Sequence, residues 1–200
     1  MDKKTQTVQT YNRSAMALAG KFDRMGARSK DIDETFALVE KENPKVLEIG
    51  CGNGRDAEYI LEKTNDYLGT DISEELIKLA REKVPQAEFE VADVTSFEFP
   101  AGLDIVFAFA SLIHVTKEEF SIILHKLSAA LDDGGVIRIS LKYNDHYIEV
   151  DQQDEFGDRT YYHYSEQDIR ELAQNFKVLK MEVIGKSGTD AKWIEVLLQK

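Results

Sequence analysis

Short apolar runs alternate with helical patterns along this chain. "KVLEIG" is followed by a helix pattern from Arg55 to Lys63. "DYLGTD" is followed by "SEELIKLAREKV", with Ser73 placed to cap the helix and Glu74 and Glu75 in its first turn. "EFEVAD" comes next, and then "DIVFAFA", the most apolar run. It leads into a helix opened by Thr116 with Glu119 three residues on, a capping-box spacing, and Phe120, Ile123, Leu124, Leu127 and Leu131 share one face. "GGVIRISLKY" reads as a fifth strand, and Ser165 with Asp168 opens another helix at the same spacing. "FKVLKMEVIG" and "KWIEVLLQ" have no helix between them, so they are predicted to pair antiparallel.

This alternation predicts an α/β fold. The sheet is Rossmann-like, doubly wound and seven-stranded, mostly parallel, with an antiparallel C-terminal pair. Residues 1–40 read as a helical cap lying over the carboxyl edge of the sheet. Residues 143–164 show no convincing periodicity, and a loop of that length inside a folded domain is usually functional or disordered, so the segment is a candidate substrate lid. Pro44, Pro85 and Pro100 each fall between periodic segments, and no repeat or low-complexity linker is present, which predicts a single domain over residues 1–200.

Composition narrows the function. The 200 residues are 42% hydrophobic, enough for a sizeable core. No run approaches the roughly 18 apolar residues of a membrane span, and "MDKKTQTVQTYNRSAMALAG" lacks the apolar stretch of a secretory signal. Cys51 is the only cysteine, which excludes an internal disulfide and points to a reducing, cytoplasmic setting. The net charge of −12 argues against a nucleic-acid partner, which needs a cationic footprint.

The chemistry centres on Gly50, Cys51, Gly52, Asn53 and Gly54, just after the first strand. In open α/β sheets ligands bind outside the carboxyl ends of the strands, and glycines there let a ligand touch the backbone. Asp71 ends the second strand, where a carboxylate can take both hydroxyls of a ribose; its competing role, capping the next helix, is already filled by Ser73. A nucleoside ligand follows. The pattern is G-x-G-x-G, with Arg55 where a dinucleotide fingerprint has its third glycine, and the Gly-Lys-Ser/Thr ending of a phosphate loop is absent. The acid just upstream, Glu48, suits a ligand with a positive charge better than a pyrophosphate.

"VLEIGCGNG" with "YLGTDIS", "VADV", "LDIVFAFASLIHV" and "LDDGGVIRIS" resembles the class I S-adenosylmethionine-dependent methyltransferases over about residues 44–142, in particular the bacterial small-molecule type related to the ubiquinone and trans-aconitate enzymes. The resemblance implies S-adenosyl-L-methionine as cofactor and methyl transfer to a small-molecule acceptor. It implies that Glu48 organises the methionine amino end, that Gly50, Gly52 and Gly54 line the methionine and ribose, and that Ile72 packs on the adenine beside Asp71. Asp93 would take the adenine amino group, with Val94 giving a backbone amide. Phe109 and Ala110 would approach the sulfonium, and Tyr11 would fold over the cofactor.

His114, five residues past Phe109, is the candidate general base; a structural histidine is the alternative. His125 reads as surface. In the 143–164 segment, Arg159 with Tyr161 and Tyr162 resembles the stretch that faces the acceptor in relatives, and Tyr147 joins them as a candidate acceptor contact. The aromatics could close a pocket and favour a cation. Cys51 lies inside the turn rather than in a nucleophile's place, and the acids of metal-dependent catechol-type enzymes are missing after the fourth strand, so no metal is expected. Two rivals stand beside the methyltransferase: a module that binds the cofactor without transfer, and a nicotinamide oxidoreductase, which Arg55 disfavours.

Overall fold

The computed structural model describes residues 2–185 and 191–200. Five parallel strands form its centre: β1 (Val46–Ile49), β2 (Tyr67–Asp71), β3 (Glu88–Val91), β4 (Leu103–Phe109) and β5 (Leu131–Tyr143). Their order is β3-β2-β1-β4-β5, so the chain reverses direction across the sheet between β1 and β4. That reversal opens a crevice at the carboxyl ends of the two strands. The C-terminal pair, β8 (Lys177–Gly185) and β9 (Lys192–Gln199), is antiparallel as predicted, with β9 laid along β5.

All seven residues of β4 are buried, as its continuous apolar run requires of a central parallel strand. Its one acid, Asp104, is met by the Lys45 backbone N–H and the Lys41 ammonium, each at 2.7 Å. The predicted caps form. Ser73 Oγ accepts from Leu76 N at the start of α5 (Glu74–Lys83), and complete capping boxes open α6 (Lys117–Ala130) and α7 (Glu166–Leu172). Helices α6 and α7 cover one face of the sheet around Ile137, Ile139 and Leu141; the opposite face, with Val46, Ile105 and Phe107, is covered by α3 (Ser29–Phe36), α4 (Ala57–Leu61) and α5. No helix among the described residues is long and apolar enough to cross a membrane.

The sheet differs from the prediction in having nine strands rather than seven among the described residues. Segment 143–164, read as a loop, folds as a hairpin of β6 (Ile148–Asp154) and β7 (Gly157–Tyr164), and β7 continues the sheet from the end of β5. Its turn is set by Asp154 Oδ1 accepting from Phe156 N at 3.0 Å and by Gly157 at φ +125°. The polar run "IEVDQQD" hides β6 from a hydrophobicity reading, because β6 is an edge strand largely exposed to solvent. Helix α1 (Lys3–Arg13) fastens the hairpin, mainly through β7. Thr10 Oγ1 donates to Asp158 O at 2.8 Å, Thr160 N donates to Thr7 Oγ1 at 3.1 Å, and Lys3 pairs with both Glu149 and Asp151. Just past α1, Ser14 Oγ donates to Phe156 O at 2.7 Å. With α2 (Ala15–Met25), α1 lies over the carboxyl edge, whereas α3 packs on a face of the sheet.

Candidate functional site

The glycine turn connects β1 to α4 and presses against the turn that follows β4. Gly50 N and Cys51 N both donate to Thr70 O, at 2.7 and 2.9 Å, which fastens the turn to β2. Gly50 has φ +72°, and a Cβ there would stand 2.2 Å from Ser111 Cβ, so no side chain fits. Gly52, at φ +58°, donates its N–H to Asp71 Oδ2 at 3.0 Å and lies beneath the Phe22 ring. Cys51 is a buried free thiol whose pKa burial raises, so it belongs to the turn as packing. Gly54 closes the turn through a bond from its N–H to Cys51 O at 3.0 Å.

Asp71 also accepts from Ser73 N, through Oδ1 at 2.8 Å. Each carboxylate oxygen thus holds one backbone N–H and keeps a second acceptor site. Burial raises the pKa of Asp71 while its backbone bonds oppose the rise. Ile72 is half-buried beside it. Asp93 sits at the end of β3, where Oδ1 takes Thr95 N at 3.0 Å and Oδ2 ion-pairs with Lys4 of α1 at 2.5 Å. Partial burial pushes its pKa up, but the Lys4 and Thr95 contacts win and hold it low. Val94 packs half-buried against the core. Lys4 therefore ties the helical cap to the residue expected to meet an adenine.

Three buried polar atoms near the turn have no hydrogen-bond partner in the protein: Asn53 Oδ1, Ser111 Oγ and Arg28 Nη1. Buried polar groups are seldom left unmatched, so such a cluster is what a polar ligand's absence looks like. Asn53 is held through its Nδ2, which donates to Asp23 at 2.8 Å, leaving its oxygen over. Arg28 directly precedes α3. Its guanidinium lies 4.7 Å over the Phe109 ring, and its backbone N–H donates to Asp56 Oδ1 at 2.8 Å. Burial, then the neighbouring Arg55, lowers its pKa. The sequence reading missed Arg28 and Ser111; the one available signal for Arg28 was a base at the start of a helix pattern in the cap.

Glu48 is 2% exposed and accepts from Tyr67 O–H at 2.6 Å. Burial, reinforced by Asp56, pushes its pKa up to about 8. At the end of β4, Ala110 has φ +54°, the only positive φ outside glycine among the described residues. Such strain persists where surrounding structure enforces it, commonly at functional sites.

A second cluster faces this crevice from the cap. His114 Nδ1 lies 2.6 Å from Thr160 O, and its Nε2 lies 2.9 Å from Tyr11 O–H. A carbonyl only accepts, so Nδ1 carries the proton and Nε2 receives the tyrosine's. Burial lowers the His114 pKa to about 4, and Arg159 and Lys142 add to the fall. Both nitrogens of a neutral imidazole are thereby engaged. Arg159, 8% exposed, sits among Tyr11, Phe156 and Tyr161, about 5.5 Å from each ring, ion-paired to Asp154 with its Nε unmatched. It also lines a cavity of about 240 Å³ between α1 and the hairpin. Alternation along β7 divides the four tyrosine and arginine candidates. Arg159 and Tyr161 join Tyr11 and His114, whereas Tyr162 stacks on Tyr147 at 6.0 Å on the other face, and Tyr147 O–H accepts from Lys117 N at the start of α6.

A family profile described as a methyltransferase domain matches residues 46–135, the stretch from β1 to the start of β5. Over this stretch the chain is similar to a methyltransferase domain. Trans-aconitate 2-methyltransferase of Variovorax paradoxus is 34% identical over 121 residues, covering 58% of this chain and 46% of the relative. Its namesake in Rhodopseudomonas palustris is 32% identical over 120 residues with the same coverage. The chain thus spans about half the length of the curated relatives it matches. Magnesium protoporphyrin IX methyltransferase from Synechocystis, solved with S-adenosylhomocysteine, superposes over 100% of both chains with TM-score 0.74 at 18% identity. The Burkholderia thailandensis 1,6-didemethyltoxoflavin N1-methyltransferase covers 96% of this chain and 87% of its own with TM-score 0.73, also at 18% identity. Identities this low speak to the fold alone. S-adenosyl-L-methionine is the cofactor of the family, and the unmatched atoms around the turn and the spare acceptor sites of Asp71 fit its polar groups.

Proposed function

We propose that this methyltransferase transfers the methyl group of S-adenosylmethionine to a small molecule that arrives already ionised, a carboxylate being the class that fits. The observation that carries this reading is the state of His114. With Nδ1 on a carbonyl, the Nε2 lone pair taken up by a tyrosine and a pKa near 4, it is a weak base for a protonated acceptor at neutral pH. The aromatic cage that would otherwise favour a cationic acceptor already encloses Arg159. That guanidinium suits an anion. The relatives named for trans-aconitate, a carboxylic acid, support the same class.

When bound, S-adenosylmethionine supplies a methyl on a sulfonium, so transfer to a carboxylate oxygen forms one C–O bond, breaks one C–S bond and moves no proton. The protein's part is placement, which contributes roughly 7–11 kcal/mol when reacting atoms are well aligned. Asp71 would hold the ribose hydroxyls, Asp93 the adenine end once Lys4 yields, and Glu48 the amino end. Arg28 would take the cofactor's carboxylate. Phe109 and the strained Ala110 would wall the methyl, and Arg159 with Tyr161 would turn the acceptor's oxygen toward it. His114 holds Tyr11, and so α1, against the hairpin. The lone reduced Cys51 and the acidic surface support a cytoplasmic protein with no nucleic-acid partner.

The test is transfer of labelled methyl from S-adenosylmethionine to panels of carboxylic acids, amines and phenols. An alkali-labile methyl ester as the main product supports the reading. Label that goes chiefly to amines, or a rate that collapses in His114→Gln with every acceptor, contradicts it. Binding of S-adenosylhomocysteine without transfer to any panel leaves a binding module.

A further inference from the structure

Arg138, in the middle of β5, is 1% exposed. Its neighbours in register are Phe107 on β4 and Leu197 on β9, and Val136 precedes it on the same face. A guanidinium in such surroundings is costly to desolvate, and a buried ion pair is weak evidence of a purely stabilising role. Its partners show what it does instead. Nη2 pairs with Asp31 in the first turn of α3, Nη1 lies 3.5 Å from Glu34 one turn on, and Nε lies 4.0 Å from Glu195 without a hydrogen bond. Glu195 is engaged by Ser140 O–H at 2.9 Å, so the strand-side end of the cluster is fixed. The cluster draws α3 onto β5.

The residue immediately before α3 is Arg28. Its guanidinium makes no ion pair of 4.0 Å or less among the described residues. It is placed beside the glycine turn by the Asp56 bond to its backbone, by the Phe109 ring, by the attraction of Asp56, Glu195 and Asp31 at longer range, and by the seating of α3. We infer that Arg138 is a positioning residue for cofactor binding, fixing α3 through Asp31 and Glu34 and thereby the Arg28 guanidinium. The inference rests on the reading of Arg28 as the holder of the cofactor's carboxylate.

The experiment uses the full chain and two ligands, S-adenosylhomocysteine and methylthioadenosine, which shares the nucleoside but lacks the amino-acid end. Arg138→Met should lower the thermal midpoint, since Glu195 stays buried without its cation, and weaken S-adenosylhomocysteine about tenfold, a coupling of about 1.4 kcal/mol. It should leave methylthioadenosine binding as in the parent, and Arg138→Lys should recover part of the loss. In an Arg28→Ala background, Arg138→Met should add nothing further. Equal weakening of both ligands, or an undiminished effect in the Arg28→Ala background, overturns the inference and makes Arg138 a purely structural charge. Arg28→Ala alone tests the underlying reading: parental affinity there removes the carboxylate role, and the inference with it. Should Arg138→Met not fold, Asp31→Asn with Glu34→Gln, at the more exposed ends of the pairs, enters the same cycle with the same expectations.

Discussion

Asp71→Asn separates the two jobs of one carboxylate. In the parent, Oδ2 takes Gly52 N and Oδ1 takes Ser73 N, at 3.0 and 2.8 Å, and the second acceptor site of each oxygen is open to a ribose hydroxyl. An amide nitrogen in place of either oxygen faces a backbone N–H donor with another donor. One buried N–H left unpaired costs about 1–3 kcal/mol. For a 200-residue chain at 2–4 °C per kcal/mol, the thermal midpoint should fall by roughly 2–12 °C without ligand. Binding loses separately. A hydrogen bond to a charged acceptor is worth about 1.5–3 kcal/mol, so surrendering one ribose bond weakens S-adenosylhomocysteine by at least about tenfold. Calorimetry with S-adenosylhomocysteine and its 2′,3′-dideoxy analogue distinguishes the two effects. The parent should prefer the natural ribose by tenfold or more, and in Asp71→Asn the preference should shrink. A variant that melts early yet keeps the parental preference would refute the ribose assignment and leave Asp71 as a pin for the glycine turn.

Gly50→Ala should destabilise the fold by about 2–5 kcal/mol, combining left-handed backbone strain of about 1–2 with overpacking of about 1–3 against Ser111; an unchanged denaturation midpoint would contradict the turn geometry. Glu48, with its pKa raised to about 8, is largely protonated at neutral pH before ligand arrives. Because a cationic amino end favours the ionised acid, affinity should rise with pH up to about 8 and binding should release protons, read from calorimetry in buffers of different ionisation enthalpy; Glu48→Gln should flatten the profile. His114 has a folded pKa near 4 against an ordinary 6.5, so the unfolded chain binds the extra proton and stability is lost as pH falls between those values. His114→Gln should remove that part of the acid sensitivity, while kcat with a carboxylate acceptor changes less than tenfold.

The parallel core, its caps and the glycine turn were legible in the sequence because each is written locally: a buried run such as β4, a Thr116–Glu119 spacing, three glycines after a strand. The hairpin was not. Strand β6 is an edge strand that leaves most of its residues in solvent, and β7 meets α1, about 150 residues earlier in the chain, so no local period records either. Arg28 was missed for a similar reason, since its meaning comes from Phe109 and Asp56. His114 was found by position, but its role turns on the Thr160 carbonyl and Tyr11, both supplied by distant segments. Tyr162 is grouped with Arg159 by a resemblance to relatives and Tyr147 by lying in the same segment, and the stacked pair sits on the other face from Arg159.

The seam between α1 and the hairpin has a practical consequence for anyone handling the protein. Five side chains from Lys3 to Ser14 fasten it by hydrogen bonds and ion pairs, not by apolar packing. Each such bond contributes only about 0.5–1.5 kcal/mol net, so the seam can part and re-form one bond at a time. A tag or surface attachment placed ahead of Lys3 pulls directly on that zip. Lys200, whose backbone N–H binds Gly135 O and whose ammonium binds Leu131 O, lies at the opposite edge of the sheet. Anchoring the chain there leaves the zip free, and a comparison of exchange rates between the two attachments would time its opening.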